Sequence, residues 1–547
     1  MNYQITPDST RAVFLAIKDT PGVAELYGAP VNGAGPAIKL SGSLVAGGAV
    51  TNYRLSADSK RVVFLADKDT DGTLELYSVP TTGGPTIKLS GALVPLGNAD
   101  NFFAISPDST RVVFRADKET DGKLELFSVL ITGGVAPVKI SGTLVSAGDV
   151  ETFLISADSS RVVFRADKDT NAISELYSVP IAGGIAPTQI SGTLVSSGNV
   201  GVYAISPDGL RVVFRADKDA DEVYELYSVP IAGGVAPVKL SGTMVSGGDV
   251  GSTFQFSPDG SRVVFTADRD TDETFELYSV PTAGGSPATK LSSSVAAGSD
   301  VGTVLISPDG TRVVYIANNN SITTQELYSV PITGGVPPVK ISGGIAPGGN
   351  VFTAVISPDS TRVAFAADKI NPGVILLQSV PIGGGTIFFD SGAMVAGGNV
   401  DTNNYFFTPD SARLVFVADK QTAGVREVYS VPVALALTPA KLSGTMVANG
   451  GVAQMRLTPD GSRVLLLADK QTNDVVELFV TGISLAMDID GSGTVDALTD
   501  GLLMIRWHSG LRGAALIAGA IAADATRTTA AQIEAYLTRL DVQPANN

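Results

Sequence analysis

The sequence predicts an all-β protein folded as a β-propeller, in which small antiparallel sheets stack around a common axis. A phrase of the general form Ile-Ser-Pro-Asp-(Gly/Ser)-x-Arg-Val-Val-Phe recurs ten times in the 547-residue chain, at intervals of 50 or 51 residues. Each repeat has four short apolar runs separated by turns rich in Gly, Pro and Asp, and no run of helical length and period. The aspartates of the phrase are Asp8, Asp58, Asp108, Asp158, Asp208, Asp259, Asp309, Asp359, Asp410 and Asp460.

Residues 203–241 show the predicted elements of one repeat in order. The first strand, 203–205, ends at a Ser-Pro-Asp-Gly turn, in which Pro presets φ and Gly accepts a positive φ. The second strand, 211–216, is apolar on both faces, as in a sheet that is covered on both sides. A polar turn leads to a third strand at 225–230, and a Gly-Gly turn leads to a fourth at 235–241. Each repeat is therefore predicted to be a four-stranded antiparallel meander.

Sheets that are apolar on both faces need like sheets against each face, and four-stranded repeats of this length stack radially. The predicted domains are a propeller at residues 1–485 and a different module at 486–547. The regular spacing leaves no gap at which one ring could end, which favours one ten-bladed ring over two five-bladed rings. The tenth repeat stops after its third strand. We therefore expect either residues upstream of Met1 that supply the missing strand or a last blade of three strands.

Composition excludes several classes of function. The chain has 38 Lys and Arg against 54 Asp and Glu, and its formal net charge of −16 argues against binding to nucleic acid or to an anionic lipid surface. It has no cysteine and one histidine, His508, which excludes disulfides, Cys/His zinc sites and a Ser-His-Asp triad within the repeats. No run of about 18 apolar residues is present that could span a membrane.

The repeats resemble those of TolB-like propellers. The resemblance rests on Ser-Pro-Asp-Gly-x-Arg-Val-Val-Phe, as at 206–214, followed in the same repeat by Glu-Leu-Tyr-Ser-Val, as at 225–229. That family includes non-catalytic binding proteins and propellers attached to peptidase domains, so the resemblance implies a propeller used for binding. No peptidase-like segment accompanies the repeats in this sequence.

The loop between the second and third strands is acidic in several repeats. In the second repeat it carries Asp67, Asp69, Asp71 and Glu75 in the pattern D-x-D-x-D-G-x-x-E, which offers hard oxygen ligands at alternate positions. The pattern resembles the calcium loops of integrin-type propellers and implies a weak Ca²⁺ site. The alternative is a solvated hairpin in which Asp and Gly only form the turn.

No catalytic residues are predicted in the repeats. The arginine that follows the turn in every repeat, such as Arg211, is expected to form an ion pair within or between blades. If the first strand of each repeat is innermost, the residues before its last position line the axis, and none of them is a carboxylate or a histidine. A glycosidase needs two carboxyl groups at the scissile bond. The axial residues are Gln4, Arg54, Ala104, Leu154, Ala204, Gln255, Leu305, Val355, Phe406 and Arg456.

After the repeats, residues 488–496 read D-x-D-x-S-G-x-x-D, the spacing of an EF-hand-type calcium loop. An acidic residue is expected at loop position twelve, where Thr499 stands, and Asp500 follows one place late. The predicted Ca²⁺ ligands are Asp488, Asp490, Ser492, Thr494, Asp496 and Asp500.

Helices are predicted at 497–507, at 514–523 and from a Thr-x-x-Gln capping box at 529 to about 540. The segment resembles a type I dockerin module, which implies Ca²⁺ binding and a cohesin-like partner. Its second half, around 524–526, lacks a calcium loop, and the alternative for the first half is an Asp/Gly-rich turn without metal. Trp507 is expected in the core of the module.

These features predict a secreted, non-catalytic propeller that is extracellular or on the cell surface and displays loops for a protein or glycan ligand. The Ca²⁺-stabilised terminal module would anchor it. One alternative is a hydrolase or lyase propeller that acts on polysaccharide, which would require a non-repeated Asp/Glu/His cluster at the axis. The other is a structural surface-layer or filament subunit.

Overall fold

Each repeat folds as an antiparallel sheet whose strands pair in chain order, and the ten sheets make an all-β ten-bladed propeller, as predicted. The structure is a computed structural model that describes residues 3–293, 299–318, 323–433, 438–447, 450–483, 489–490, 498–522, 525 and 527–541. Blades 1 to 6 belong to one compact unit, and blades 8 to 10 with the terminal helices belong to a second. The strands of blade 7 are divided between the two units.

The strands follow one another at nearly constant intervals. Blades 1 to 5 contain β1 (Tyr3–Ile5), β2 (Arg11–Ala16), β3 (Glu25–Pro30), β4 (Ile38–Lys39), β5 (Val50–Leu55), β6 (Arg61–Ala66), β7 (Glu75–Pro80), β8 (Ile87–Lys88), β9 (Ala99–Ile105), β10 (Arg111–Ala116), β11 (Glu125–Leu130), β12 (Val138–Lys139), β13 (Val150–Ile155), β14 (Arg161–Ala166), β15 (Glu175–Pro180), β16 (Thr188–Gln189), β17 (Val200–Ile205), β18 (Arg211–Ala216), β19 (Glu225–Pro230) and β20 (Val238–Lys239).

Blades 6 to 10 contain β21 (Val250–Phe256), β22 (Arg262–Ala267), β23 (Glu276–Pro281), β24 (Thr289–Lys290), β25 (Val301–Ile306), β26 (Arg312–Ala317), β27 (Glu326–Pro331), β28 (Val339–Lys340), β29 (Val351–Ile356), β30 (Arg362–Ala367), β31 (Leu376–Pro381), β32 (Val400–Phe407), β33 (Arg413–Ala418), β34 (Glu427–Pro432), β35 (Ala440–Lys441), β36 (Val452–Leu457), β37 (Arg463–Ala468) and β38 (Glu477–Gly482).

The second strand of a blade is buried on both faces because neighbouring sheets cover both. In β6, residues 62–66 are all fully buried. Val113 of β10 packs in one cluster with Val162 and Phe164 of β14, so blades 3 and 4 share a core. Within blade 4, Phe164 stacks on Tyr177 with ring centroids 5.4 Å apart. The apolar runs of blades 3 and 4 therefore pack against each other across the blade boundary.

The turn between the first and second strands also connects neighbouring blades. Ser109, in the turn of blade 3, has a φ of 61°, a left-handed conformation that is rare for residues other than glycine. Its Oγ accepts the backbone N–H of Asp58, in the turn of blade 2, at 3.1 Å. Ser159 accepts the N–H of Asp108 in the same way, at 3.0 Å. In blade 5 this position is Gly209, which has no hydroxyl to offer.

The arginine that opens the second strand bonds to a serine. In blade 5, Nε of Arg211 donates to Ser228 Oγ at 2.8 Å. The turn aspartate, Asp208, is engaged by the Ser206 hydroxyl at 2.5 Å and by the Leu210 N–H at 2.9 Å. Within the described residues no carboxylate lies within ion-pair distance of Arg211, so the ion pair expected for this arginine is replaced by a hydrogen bond to a neutral hydroxyl.

Two blades depart from the four-stranded pattern. In blade 8 the fourth strand is reduced to a single bridge between Ser379 and Phe388. There Gln378 stands where most blades have a tyrosine, and its buried amide has no hydrogen-bond partner in the described part of the protein. Blade 10 forms a three-stranded sheet from the described residues, which matches one of the two expectations for the last blade.

In the described part of the chain, three helices follow the propeller: α1 (Asp500–His508), α2 (Ala514–Ile517) and α3 (Ala530–Asp541). They share a core that includes Ile489 and Trp507, and Trp507 is buried as predicted. No helix in the described part of the chain is both long and apolar enough to cross a membrane.

The ends of these helices follow the local sequence. At the start of α3 the predicted capping box is confirmed, because the Gln532 N–H donates to Thr529 Oγ1 at 3.4 Å and Gln532 Oε1 accepts the Thr529 N–H at 3.1 Å. The prediction of a helix over 514–523 is wrong in length, since α2 ends at Ile517. Gly519 has a φ of 63°, a conformation that terminates helices.

Candidate functional site

The first strand of each blade lies innermost. First strands of neighbouring blades contact one another, as β5 does β9, β17 does β21 and β29 does β32. The axial side chains bridge them: Gln4 Nε2 donates to the carbonyl of Tyr53 at 3.3 Å, and Gln255 Nε2 donates to that of Val304 at 2.8 Å. These amides hold adjacent inner strands together and offer no acid or base for catalysis.

A departure from the repeat marks one side of the propeller. The fifth residue of the second strand is arginine in three consecutive blades, at Arg115, Arg165 and Arg215. In the other blades it is an uncharged residue: Leu15, Leu65, Thr266, Ile316, Ala366, Val417 and Leu467. A feature that only some repeats carry is not needed to build the repeat. These three arginines are therefore candidates for function.

Arg115 lies between blades 3 and 4. Its Nε donates to Asp100 Oδ2 at 2.8 Å, and its Nη2 is paired with the same oxygen. Its Nη1 donates to the carbonyl of Val150 at 3.0 Å and to that of Glu151, at the start of the next inner strand. The guanidinium lies 4.5 Å from the ring centre of Phe102, a side chain that is 48% exposed.

Arg165 repeats this arrangement between blades 4 and 5. Its Nε lies 2.6 Å from Glu151 Oε2. Its Nη1 donates to the carbonyls of Val200 at 3.1 Å and Gly201 at 2.5 Å. The second oxygen of Glu151 accepts a hydrogen bond from the Ser174 hydroxyl. Glu151 takes the place of Asp100, since each is the second residue of its inner strand.

Arg215 has the same position in blade 5 but different partners. Its Nε donates to the carbonyl of Val250 at 2.6 Å, and its guanidinium lies 3.8 Å from the ring centre of Tyr224. The second residue of the inner strand is here Gly201, so the carboxylate of the two preceding blades is missing. Burial lowers the pKa of Arg215, and the charge of Asp249 partly opposes that shift.

We use the name arginine sector for the three arginines together with the carboxylates and aromatic rings beside them. Guanidinium groups bind carboxylates and phosphates through paired hydrogen bonds, and exposed aromatic rings offer faces for stacking. Asp100 and Glu151 are each paired with an arginine. The sector therefore suits recognition of a ligand. It consists of Asp100, Phe102, Arg115, Glu151, Arg165, Arg215 and Tyr224.

The arginine sector is not among the site residues predicted from the sequence, because the axial prediction concerned a different position of the inner strand. Asp100 and Glu151 stand at the beginning of their strands, whereas the axial residues considered above stand near the end. A signal was present in the sequence, since Arg-Val-Val-Phe-Arg occurs in repeats 3, 4 and 5 and in no other repeat. Comparing repeats position by position would have found it.

The acidic loop of blade 2 does not collect its four carboxylates around one point. Asp67 is engaged by the backbone, because Oδ1 accepts the Ala49 N–H at 2.6 Å and Oδ2 accepts the Gly72 N–H at 3.2 Å. Asp71 lies exposed. In the described part of the protein no three Asp, Glu or His side chains are grouped closely enough to hold a metal ion.

The other two carboxylates of that loop belong to a network that recurs in most blades. Asp69 lies 3.7 Å from Nζ of Lys88, which also contacts Glu75. Glu75 is buried and accepts the Tyr77 hydroxyl at 2.7 Å. Burial raises the pKa of Tyr77, and the bond to Glu75 adds to the effect. Calcium at Asp67, Asp69, Asp71 and Glu75 stays a prediction.

The terminal calcium loop lies mostly outside the described residues, which include only Asp490 and Asp500 of the six predicted ligands. Both are buried. Asp500 Oδ1 accepts the N–H of Ile489 at 2.5 Å and that of Asp490 at 3.2 Å. Asp490 Oδ2 accepts the Ala522 N–H at 2.7 Å. These hydrogen bonds connect the loop to the start of α1 and to the segment after α2. Metal binding at Asp488, Ser492, Thr494 and Asp496 stays a prediction.

Comparisons with known proteins show similarity at the level of structure alone. No family model and no curated protein matches the sequence. A crystal structure of a eukaryotic initiation factor is 13% identical with a TM-score of 0.47, over 79% of this chain and 94% of that one. A putative TolB from Agrobacterium tumefaciens is 17% identical with a TM-score of 0.28, over 53% and 92%. An oligogalacturonate lyase in complex with manganese is 13% identical with a TM-score of 0.35, over 77% and 96%. At this similarity no activity or ligand is transferred to this chain.

Proposed function

We propose that this protein is a non-catalytic binding propeller whose protein or glycan ligand contacts the arginine sector of blades 3 to 5. The observation that carries the proposal is the run of three arginines at one position, Arg115, Arg165 and Arg215, in a chain that otherwise repeats uncharged residues there. Each is the fifth residue of a second strand, donates to the start of the next inner strand and lies close to a carboxylate or an aromatic ring, which is the composition of a recognition surface.

The state of the carboxylates supports binding over hydrolysis. A glycosidase needs one carboxyl group that is protonated and one that is free to attack or to activate water. Asp100 is paired with Arg115 and Glu151 with Arg165, so neither carboxylate is free to attack a sugar or to activate water. No observation on the described residues favours the alternative of a polysaccharide hydrolase or lyase.

The proposal includes an extracellular or cell-surface setting and a terminal module that anchors the propeller to a cohesin-like partner. A calcium loop without an acidic residue at position twelve is expected to bind weakly, and weak loops are filled by the millimolar Ca²⁺ found outside cells. Asp490 and Asp500 support a loop fold at this point, since the Asp490 N–H donates to the Asp500 carboxylate.

A glycan array and a peptide array, probed with the full chain, test the proposal. We expect a ligand whose binding falls at least tenfold in a Phe102→Ala/Arg215→Gln variant. Arg426→Gln is the matched control, because Arg426 occupies the position of Tyr224 in blade 9, is exposed and pairs with Asp401. Binding that is lost in the control and kept in the sector variant, with both variants folded, would contradict the proposal.

A further inference from the structure

We propose that Arg215 binds a carboxylate group of the ligand, in the place that blades 3 and 4 fill with a carboxylate of the protein itself. This inference rests on the proposed function and names the chemical group that the arginine sector recognises.

Equivalent arginines of the repeat occur both with and without a neighbouring carboxylate. Arg115 and Arg165 each use Nη1 to bind carbonyls of the next inner strand, and each uses Nε to meet a carboxylate of its own blade. That carboxylate is always the second residue of the inner strand, Asp100 or Glu151. Two of three equivalent sites thus show which group completes this guanidinium.

In blade 5 the completing group is absent. Gly201 stands at the second position of the inner strand, and within the described residues no carboxylate lies within ion-pair distance of Arg215. Nε of Arg215 donates instead to the carbonyl of Val250, so a ligand carboxylate would meet Nη1, which faces Gly201. The nearby carboxylates already accept backbone bonds: Asp249 from Tyr224 N–H at 2.6 Å, and Asp217 from Asn199 N–H at 2.5 Å. They influence Arg215 only through their longer-range charge.

A side-chain atom would fit at Gly201 without a clash. A Cβ on Gly201 would lie 3.7 Å from Nη1 of Arg215, so a group that approaches along this direction meets the guanidinium at ordinary contact distance. Arg215 itself is partly exposed. The absence of a side chain at this glycine therefore leaves an approach to the cation that Asp100 and Glu151 close in the other two blades.

Tyr224 prepares the guanidinium for this role. Its ring lies 3.8 Å from the Arg215 guanidinium carbon, which fixes the plane of the cation. The equivalent residues of blades 3 and 4 are Leu124 and Ser174, which do not stack. A cation that is partly buried and lacks a paired anion gains more from a bound carboxylate than an exposed one does. The position of Arg215, the missing protein carboxylate and the orientation set by Tyr224 together favour a carboxylate as the ligand group.

Titration of the ¹⁵N-labelled full chain with sodium acetate tests the inference without knowledge of the natural ligand. We expect a saturable shift of the Arg215 Nε–Hε resonance, assigned by its loss in Arg215→Lys. Sodium chloride at equal ionic strength should give no such shift. A missing response to acetate, an equal response to chloride, or a tighter response to sulfate would each overturn the carboxylate assignment.

Substitutions at Gly201 provide a matched pair. Gly201→Glu supplies the carboxylate of blade 4 and should abolish the acetate response, whereas Gly201→Ala, which a Cβ contact of 3.5 Å tolerates, should keep it. A Gly201→Glu protein that still binds acetate at Arg215 would overturn the inference. Thermal unfolding of both variants confirms that they are folded.

The array ligand separates this inference from the proposed function. If the ligand is carboxylated, Arg215→Gln should weaken it about 10- to 100-fold, as expected for the loss of a hydrogen bond to a charged group. Binding of a ligand in the arginine sector with no acetate response would sustain the proposed function and overturn the inference. An acetate response at Arg215, combined with array binding that Gly201→Glu does not change, would sustain the inference and contradict the proposed function.

Discussion

At the scale of single residues, blade 3 contains a buried carboxylate oxygen to which no described residue donates a hydrogen bond. Glu125 is buried, and its Oε2 has no hydrogen-bond partner among the described residues. The reason is Phe127, which stands where blade 2 has Tyr77 and cannot donate to the glutamate. An unfilled buried acceptor destabilises a folded protein by the desolvation that it suffers without compensation.

We expect Phe127→Tyr to stabilise blade 3 by about 1 kcal/mol, because the added hydroxyl reaches Glu125 as Tyr77 reaches Glu75. The reverse change in blade 2, Tyr77→Phe, should destabilise by about 1–3 kcal/mol. Denaturant unfolding at neutral pH measures both. Shifts of the same sign in the two variants would contradict the explanation.

At the scale of the element, the strand-joining turn combines a strained backbone with a bond between blades. The left-handed conformation of Ser109 destabilises the folded protein, and the hydrogen bond that its hydroxyl accepts from the Asp58 N–H offsets this cost. Ser109→Ala keeps the strain and removes the bond, and should destabilise by about 1–3 kcal/mol. Ser109→Gly removes both and should lie within about 1 kcal/mol of wild type. Equal losses in the two variants, by denaturant unfolding, would show that the hydroxyl bond alone matters.

The same turns predict a response to acid. The Ser156 hydroxyl holds the pKa of Asp158 below its usual value, and the Ser257 hydroxyl does so for Asp259. A carboxyl group whose pKa is lower when folded contributes stability above its unfolded pKa and loses it as the pH falls through the folded value. We therefore expect a steep loss of stability below about pH 4. Unfolding midpoints against pH should be less steep in Ser156→Ala/Ser257→Ala, and an unchanged slope would contradict this assignment.

The elements that the sequence predicted well are those that ten repeats display. The second strand could be read from a run such as Arg211–Ala216 because burial on both faces suppresses polar residues there. The arginine sector could not be predicted in this way, because it depends on a position at which three repeats differ from the other seven. The pairing of Arg165 with Glu151 depends on a bond between strands, and neither residue alone signals it.

At the scale of the whole molecule, a chain of repeats has a stability that is close to a sum over blades and their interfaces. The terminal module is different, because its predicted metal is its own source of stability. We expect Ca²⁺ to release heat on binding to the full chain and to raise the unfolding midpoint of the module. Asp488→Ala should abolish both effects. Heat that remains in this variant and disappears in Asp67→Asn would instead locate calcium at the blade 2 loop.

The junctions between blades are fastened unequally, and this has a mechanical consequence. A serine hydroxyl clasps blade 2 to blade 3 and blade 3 to blade 4, whereas Gly209 leaves the seam between blades 4 and 5 without that clasp. Arg165 crosses the same seam to reach the carbonyls of Val200 and Gly201. Glycine also stands at this position as Gly260, Gly310 and Gly461, so a pulling force should open seams that have neither the serine nor such an arginine before those that have one.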